Sequence, residues 1–240
     1  MGCCGSGRPD TSGCLRAQVK PVRLSHMSDL GVQLPTTHDA VRELGSREDA
    51  AALKTLAVAA AVDDQFLRRT ALEVIGRHPR GRELSAIVLE AFRDPSEYVV
   101  RAACEIAEQW RLLEAHDLVL SHLANASGAT RQAAIRALGA IWRETDFPPM
   151  FNIYARDHET GIRREAAWVL RQRATPADRR ILFDALYVDE LARHRVWACE
   201  LAESLSGPEI LPALSSLASD PDGHVRKAAA RAIQAISSRA

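Results

Sequence analysis

Residues 94–107 read DPSEYVVRAACEIA, and residues 220–233 read DPDGHVRKAAARAI. A chain that repeats a phrase in phase must build the same supersecondary unit more than once, so period comes before every other property. With Val225 as position zero, steps of 31 or 32 residues lead back to His194, Ile162, Thr130, Val99 and Leu67. Position +4 is alanine in all six copies: Ala71, Ala103, Ala134, Ala166, Ala198 and Ala229. Position +1 is arginine in five, Arg68, Arg131, Arg163, Arg195 and Arg226, with Val100 the exception. Position −5 is Asp94, Asn125, Asp157, Asp189 or Asp220, and Val62 in the first copy. Position +7 is apolar throughout.

Within a copy, positions 0, +4, +7, +8 and +11 fall on one face of a 3.6-residue helix. A second helix precedes it, with core positions such as Val88 and Ala91-Phe92, Phe151 and Tyr154, Phe183 and Leu186-Tyr187, Leu214 and Leu217. The turn between them is marked by Asp94-Pro95 and Asp220-Pro221, where proline stops the first helix. Asp64, Ser96, Ser127 and Asp222 stand three residues before position zero, where an N-cap is expected. One such hairpin cannot bury its own apolar face, but a stack shares a continuous core. The small +4 alanine lets neighbouring helices approach closely.

The phrase D-P-x-x-x-V-R-x-x-A-x-x-A-(I/L) resembles the short HEAT-like repeat of the phycobilisome bilin-lyase type, over residues 47–238. The resemblance implies an all-α, right-handed α-solenoid of about six two-helix repeats, near 47–79, 80–111, 112–143, 144–174, 175–206 and 207–238. It also implies that the second helices line the concave side, and that an Asp/Arg ladder joins adjacent repeats. Asp94, Asp157, Asp189 and Asp220 with Arg131, Arg163, Arg195 and Arg226 would fill that structural role. Val62 and Val100 break the pattern, which puts the ladder in doubt at the first two repeats. Packing at about 8–10 Å per helix gives an arc of roughly 50–60 Å.

Residues 37–46, THDAVRELGS, form a short capping helix opened by Thr37 and closed by Gly45. Residues 1–36 read as a disordered leader, with Met27 a candidate for the true start. Gly2, Ser6 and adjacent Cys3 and Cys4 match a lipidation pattern as the competing reading. Cys14 lies in the same tail, whereas Cys104 and Cys199 sit among helical alanines and leucines as small hydrophobes. No apolar run reaches a membrane span and no secretory h-region is present, so a cytoplasmic location is expected.

The outward positions +2, +6, +9 and +10 of the second helices hold the candidate partner-binding residues. These are Arg69, Arg101, Arg136, Arg164, Trp168, Arg171, Lys227 and Arg231. Arg164, Trp168 and Arg171 share one helix face, and Arg with Trp is the composition of interface hot spots. Glu73, Glu105, Glu108, Glu200 and Glu203 interrupt the basic stripe. With 31 basic and 31 acidic side chains in all, the charge pattern suits a protein partner better than a polyanion. A solvated helix face is the plain alternative. Trp197, Trp110 and Trp142 are placed in the packing.

No HExxH, CxxC, G-x-S-x-G, Walker or G-x-G-x-x-G pattern occurs. Of the eight histidines only His158-Glu159 forms a His-Glu pair, whereas HEAT-like di-iron hydroxylases of the deoxyhypusine type carry several. No metal and no cofactor is expected. The leading reading is a non-catalytic scaffold that holds a partner protein or peptide in the concave groove. A bilin-lyase-like subunit is one alternative. A HEAT-like DNA-binding protein or alkylpurine DNA glycosylase is the other, with nucleic acid disfavoured by the neutral charge balance.

Overall fold

The computed structural model describes residues 35–205 and 208–238. The leader reading, with Gly2, Cys3, Cys4, Ser6, Cys14 and Met27, lies outside the described residues. The described residues are all helix and turn, with no strand among them.

A short helix α1 (His38–Glu43) comes first. Six helix pairs follow: α2 (Ala50–Ala59) with α3 (Gln65–Arg77), α4 (Ser85–Ala91) with α5 (Glu97–Trp110), and α6 (His116–Ser121) with α7 (Gly128–Ala140). The remaining three are α8 (Phe147–Arg156) with α9 (Thr160–Arg173), α10 (Pro176–Leu186) with α11 (Ala192–Ala202), and α12 (Leu211–Leu217) with α13 (Gly223–Ser237). The odd-numbered partners from α3 onward are the helices that carry the repeat phrase. Every position-zero residue is buried, and all six +4 alanines are fully buried.

Consecutive second helices, α3 to α5 to α7 and onward, lie within close Cα range of one another. Consecutive first helices do not reach that range to a comparable degree. In a curved stack the inner layer is the more tightly spaced one, so the second helices form the inner side. Two glycines at position +9 allow this approach. A Cβ on Gly76 would stand 2.9 Å from Ile106 Cγ1, and one on Gly139 would stand 3.0 Å from Val169 Cγ1.

The turns are built by the Asp or Asn at −5. Its side chain accepts the backbone N–H two residues on, from Asp94 to Ser96, Asn125 to Ser127, Asp157 to Glu159, Asp189 to Leu191, and Asp220 to Asp222. This is the Asx-turn geometry that makes Asp and Asn turn formers. The +1 arginine then closes the same turn through Nη1. Arg68 donates to Val62 O and Asp63 O, Arg131 to Asn125 O and Ala126 O, and Arg195 to Asp189 O and Glu190 O.

The other edge of each guanidinium reaches the next repeat. Arg131 holds Asp157 at 2.7 and 3.0 Å, and Arg195 holds Asp220 at the same two distances. The doubt about the first repeat is corrected: Arg68 grips Asp94 at 2.7 and 2.8 Å, so the first rung is present. Among the described residues, no repeat stands before Val62 for it to answer. The second rung is absent on both sides, since Val100 replaces the arginine and the residue it would have met is the neutral Asn125. No charge is left buried, and Asn125 still makes its turn.

Two further expectations are corrected. Arg163 does not pair with Asp189; it pairs with Glu190 instead. Asp189 is already held, at 2.7 Å by the Tyr154 hydroxyl and with His194 Nδ1 3.0 Å away. Arg226, in the last described repeat, keeps only the turn carbonyls Asp220 O and Pro221 O. Among the expected N-caps, Asp64 and Asp222 accept first-turn N–H groups, while Ser96 and Ser127 make no side-chain cap. Thr37 caps α1 as expected, and α1 packs on α3 with Val41 buried. Gly45, expected to close that helix, sits inside a 3-10 turn (Leu44–Ser46).

Candidate functional site

The inner face is built from the positions that the core leaves over on α3, α5, α7, α9, α11 and α13. Because i and i+4 side chains stack on a helix, +2 and +6 form a row on each helix. The row does not carry uniform charge. Arg69 Nε pairs with Glu73 at 2.7 Å on its own helix. Arg101 stands over the Tyr98 ring, 5.4 Å from its centroid. Arg136 lies 3.9 Å from Glu165 on the next helix, and Gln132 donates to the same carboxylate at 3.2 Å. Of the expected basic stripe from α3 to α7, Arg69 and Arg136 are therefore answered by carboxylates, and Arg101 keeps its charge over the ring.

Arg171 is turned away from its expected partners Arg164 and Trp168. It forms an ion pair with Glu200 on α11 and stands 5.6 Å from the Trp197 ring centroid. It ties α9 to α11 and is no free anchor. Arg164, Lys227 and Arg231 are exposed and make no ion pair among the described residues. Trp168 is 46 % exposed. It borders an open hollow of about 260 Å³ with Arg136, Gly139, Ala140, Glu165 and Gln172. Glu108 lines the same hollow, where burial, together with Glu165 and Glu105, pushes its carboxyl above the ordinary value against the pull of Arg136.

A second and larger hollow, about 760 Å³, opens between α11 and α13. Its border includes Arg193, Lys227 and Arg231, over a floor of Ala192, Val196 and Ala230. Arg193 was not among the expected binding residues. Its position +(−1) on α11 lies just outside the outward set, and the stacking of its guanidinium 5.5 Å over the Trp197 centroid brings it to the face.

The remaining polar clusters are internal. His116 Nε2 lies 2.9 Å from both Asp146 oxygens, and its Nδ1 lies 2.8 Å from Asp117. His116 and Asp146 are buried and tie the third repeat to the fourth. Burial alone would raise the Asp189 carboxyl. The adjacent His194 ring, the Leu191 N–H and the Tyr154 hydroxyl outweigh that and lower it to about 2. Both His194 ring nitrogens are buried without a well-aligned hydrogen bond. Burial pushes the Cys104 thiol up to about 12 and the Cys199 thiol up to about 11, so neither is a ready nucleophile. Trp197 and Trp110 are buried packing groups, Trp110 donating through Nε1 to Gly76 O at 3.0 Å. Asp157, His158 and Glu159 are the one set of described residues with ligand atoms close enough for a metal. Arg131 already occupies both of those carboxylates, at 2.7 to 3.0 Å, so the set is a salt-bridge node.

The family model for HEAT repeats matches residues 116–200 and 181–240. The chain belongs to the HEAT-repeat family. No curated protein matches it. Among solved structures it is similar to the complex of CpcE and CpcF of phycocyanin lyase from Nostoc sp. PCC7120, at 18% identity over 96% of this chain and 99% of that one, with a TM-score of 0.50. It is similar to an archaeal HEAT-like repeats protein from Thermococcus onnurineus NA1, at 15% identity over 86% and 99%, TM-score 0.50. It is also similar to a designed armadillo repeat protein in complex with the peptide (KR)4, at 19% identity over 84% and 100%, TM-score 0.50. At these identities the likeness is one of fold. No helix among the described residues is long and apolar enough to cross a membrane.

Proposed function

We propose that the protein is a non-catalytic interaction scaffold whose inner, second-helix face holds a partner protein or peptide. The observation that carries this reading is Trp168, 46 % exposed on that face beside the unpaired Arg164 and bordering an open hollow. Tryptophan and arginine are the residue types that interface hot spots favour. The fold supports the reading, since stacked repeats supply an extended inner surface. The designed armadillo relative, solved with a peptide, is one repeat protein of similar fold that carries such a ligand. The polar clusters that could look catalytic, His116 with Asp146 and Tyr154 with Asp189 and His194, are tied up inside the stack.

The test is affinity capture from the native cell with wild type beside Arg164→Glu/Trp168→Ala. Arg171 is left intact because it braces α9 against α11. Both substituted side chains are exposed, so the melting temperature should be unchanged. A partner captured by wild type and lost in the variant supports the scaffold reading. Identical partners with both proteins refute the inner face as the site.

A further inference from the structure

The two ends of the inner face differ in how their cations are answered. From α3 to α7, Arg69 is matched by Glu73 and Arg136 by Glu165, while Arg101 lies over the Tyr98 ring. Arg171 spends its charge on Glu200. Beyond that bridge the pairing stops. Arg193, Lys227 and Arg231 are exposed and make no ion pair among the described residues, and all three border the hollow between α11 and α13. Two acids share the same border. Glu200 is held by Arg171, and Asp222 accepts the His224 and Val225 N–H groups as the α13 cap. Three cations that make no ion pair among the described residues, against the two carboxylates, leave the border net positive around a floor of Ala192, Val196 and Ala230.

Resting on the scaffold reading and narrowing it to one partner chemistry, we propose that this hollow binds an acidic segment of a protein, an extended stretch carrying two or three carboxylates among small aliphatic side chains. Charge complementarity selects the carboxylates, and Arg193, fixed over the Trp197 ring, is preorganised to receive one. The methyl-lined floor suits short aliphatic side chains. A volume of about 760 Å³ is on the scale of a ligand cleft. Nucleic acid fits less well. Its phosphates would continue from this hollow along a face whose Arg69, Arg136 and Arg171 are already paired with Glu73, Glu165 and Glu200 and which also carries Glu105 and Glu108. The chain's own first 34 residues are no better matched, since Arg8, Arg16, Lys20 and Arg23 outweigh Asp10 and Asp29.

The experiment uses the full chain and fluorescence anisotropy with a labelled alternating Glu-Ala octapeptide. The matching Lys-Ala octapeptide and a short DNA duplex serve as competing probes. The Glu-Ala peptide should bind, weaken roughly tenfold from about 50 to about 300 mM NaCl, and weaken at least about tenfold again in Lys227→Glu/Arg231→Glu. Both positions are exposed, so the variant keeps its helix content and melting temperature. The inference is overturned if the Lys-Ala peptide binds as well as the Glu-Ala peptide, if the variant binds like wild type, or if the duplex binds more tightly than the acidic peptide. It is also overturned, with the scaffold reading left standing, if a partner is captured through Arg164 and Trp168 while the acidic peptide fails to bind.

Discussion

The rung between the third and fourth repeats is the most buried of the ladder, and the second rung shows how it could be removed without loss of charge balance. The Arg131 side chain is 6% exposed and that of Asp157 is 4%. Asp157→Asn leaves the buried guanidinium with only the half-exposed Glu159 carboxylate, 2.9 Å from Nη2, and Arg131→Val leaves the buried Asp157 carboxylate with no guanidinium. Breaking one side of a buried pair costs about 3 kcal/mol. Arg131→Val also gives up the two turn carbonyls at 3.0 and 3.2 Å. The double variant rebuilds the Val100/Asn125 arrangement that the chain already uses one repeat earlier, with Asn keeping the bond to the Glu159 N–H. It should lose about 3 kcal/mol rather than the sum of the singles, a coupling of about 3 kcal/mol in a double-mutant cycle. Urea unfolding followed by circular dichroism measures it. At roughly 2–3 kcal/mol/M, each single variant shifts the midpoint down by about 1 M and the double by a similar amount. Losses that simply add would refute the claim that Val100 and Asn125 are a matched pair.

Three further outcomes follow from the same geometry. Arg195→Ala should cost about 3 kcal/mol and Arg226→Ala about 1, because Arg195 bonds both its turn and Asp220 whereas Arg226 bonds its turn alone; equal midpoint shifts in urea would contradict this. Asp189, at about 2 in the folded state against an ordinary 3.8, adds stability that is fully present above about pH 4 and is lost as pH falls toward 2. Asp189→Asn should therefore be about 2 kcal/mol less stable than wild type at pH 6 and indistinguishable from it near pH 2; a gap that persists at low pH would point to packing instead. Cys104 and Cys199, buried and with raised thiols, should resist iodoacetamide in the native protein and react in urea, as read by peptide mass spectrometry; native labelling at either would show that its helix opens readily.

The fold was legible because its signal is local and repeated six times. Alanine at +4 and an apolar residue at zero describe the buried stripe of the second helices, and each of these positions is buried. The −5 Asp or Asn acts on a backbone N–H two residues away, so the turn too could be read from spacing. Pairing across repeats was harder, because it depends on which acceptor is already taken. Asp189 is in register for Arg163, yet Tyr154 from α8 reaches it first. The sequence does carry a trace of this, since His194 is the only aromatic ring at position zero and it lies against Asp189. On the inner face, the repeat phase alone could not tell that Arg136 and Arg171 would be spent on acids of the following helix. That choice depends on how far one helix is offset from the next. Arg136 at +6 meets Glu165 at +3, and Arg171 at +9 meets Glu200 at +6, so the offset is three positions in both pairs.

This offset bears on how the stack is held at its thinnest place. The helices α9 and α11 run close together over a shorter length than the other consecutive second helices. The outer connection is altered at the same junction, since Arg163 takes Glu190, 71% exposed at its side chain, in place of Asp189. An exposed pair of this kind is worth at most about 1 kcal/mol. In a one-dimensional stack the global stability is shared among nearest-neighbour interfaces, so the weakest of them is where the array bends or opens first. Two groups compensate there. Tyr154 ties α8 to the Asp189 turn, and Arg171 crosses the inner face to Glu200 and Trp197. Arg171 thus belongs to the mechanics of the groove, and it separates the Trp168 hollow from the basic hollow on α11 and α13. A ligand that engaged both hollows would have to cross this brace, and the curvature of the inner face would then be coupled to its binding.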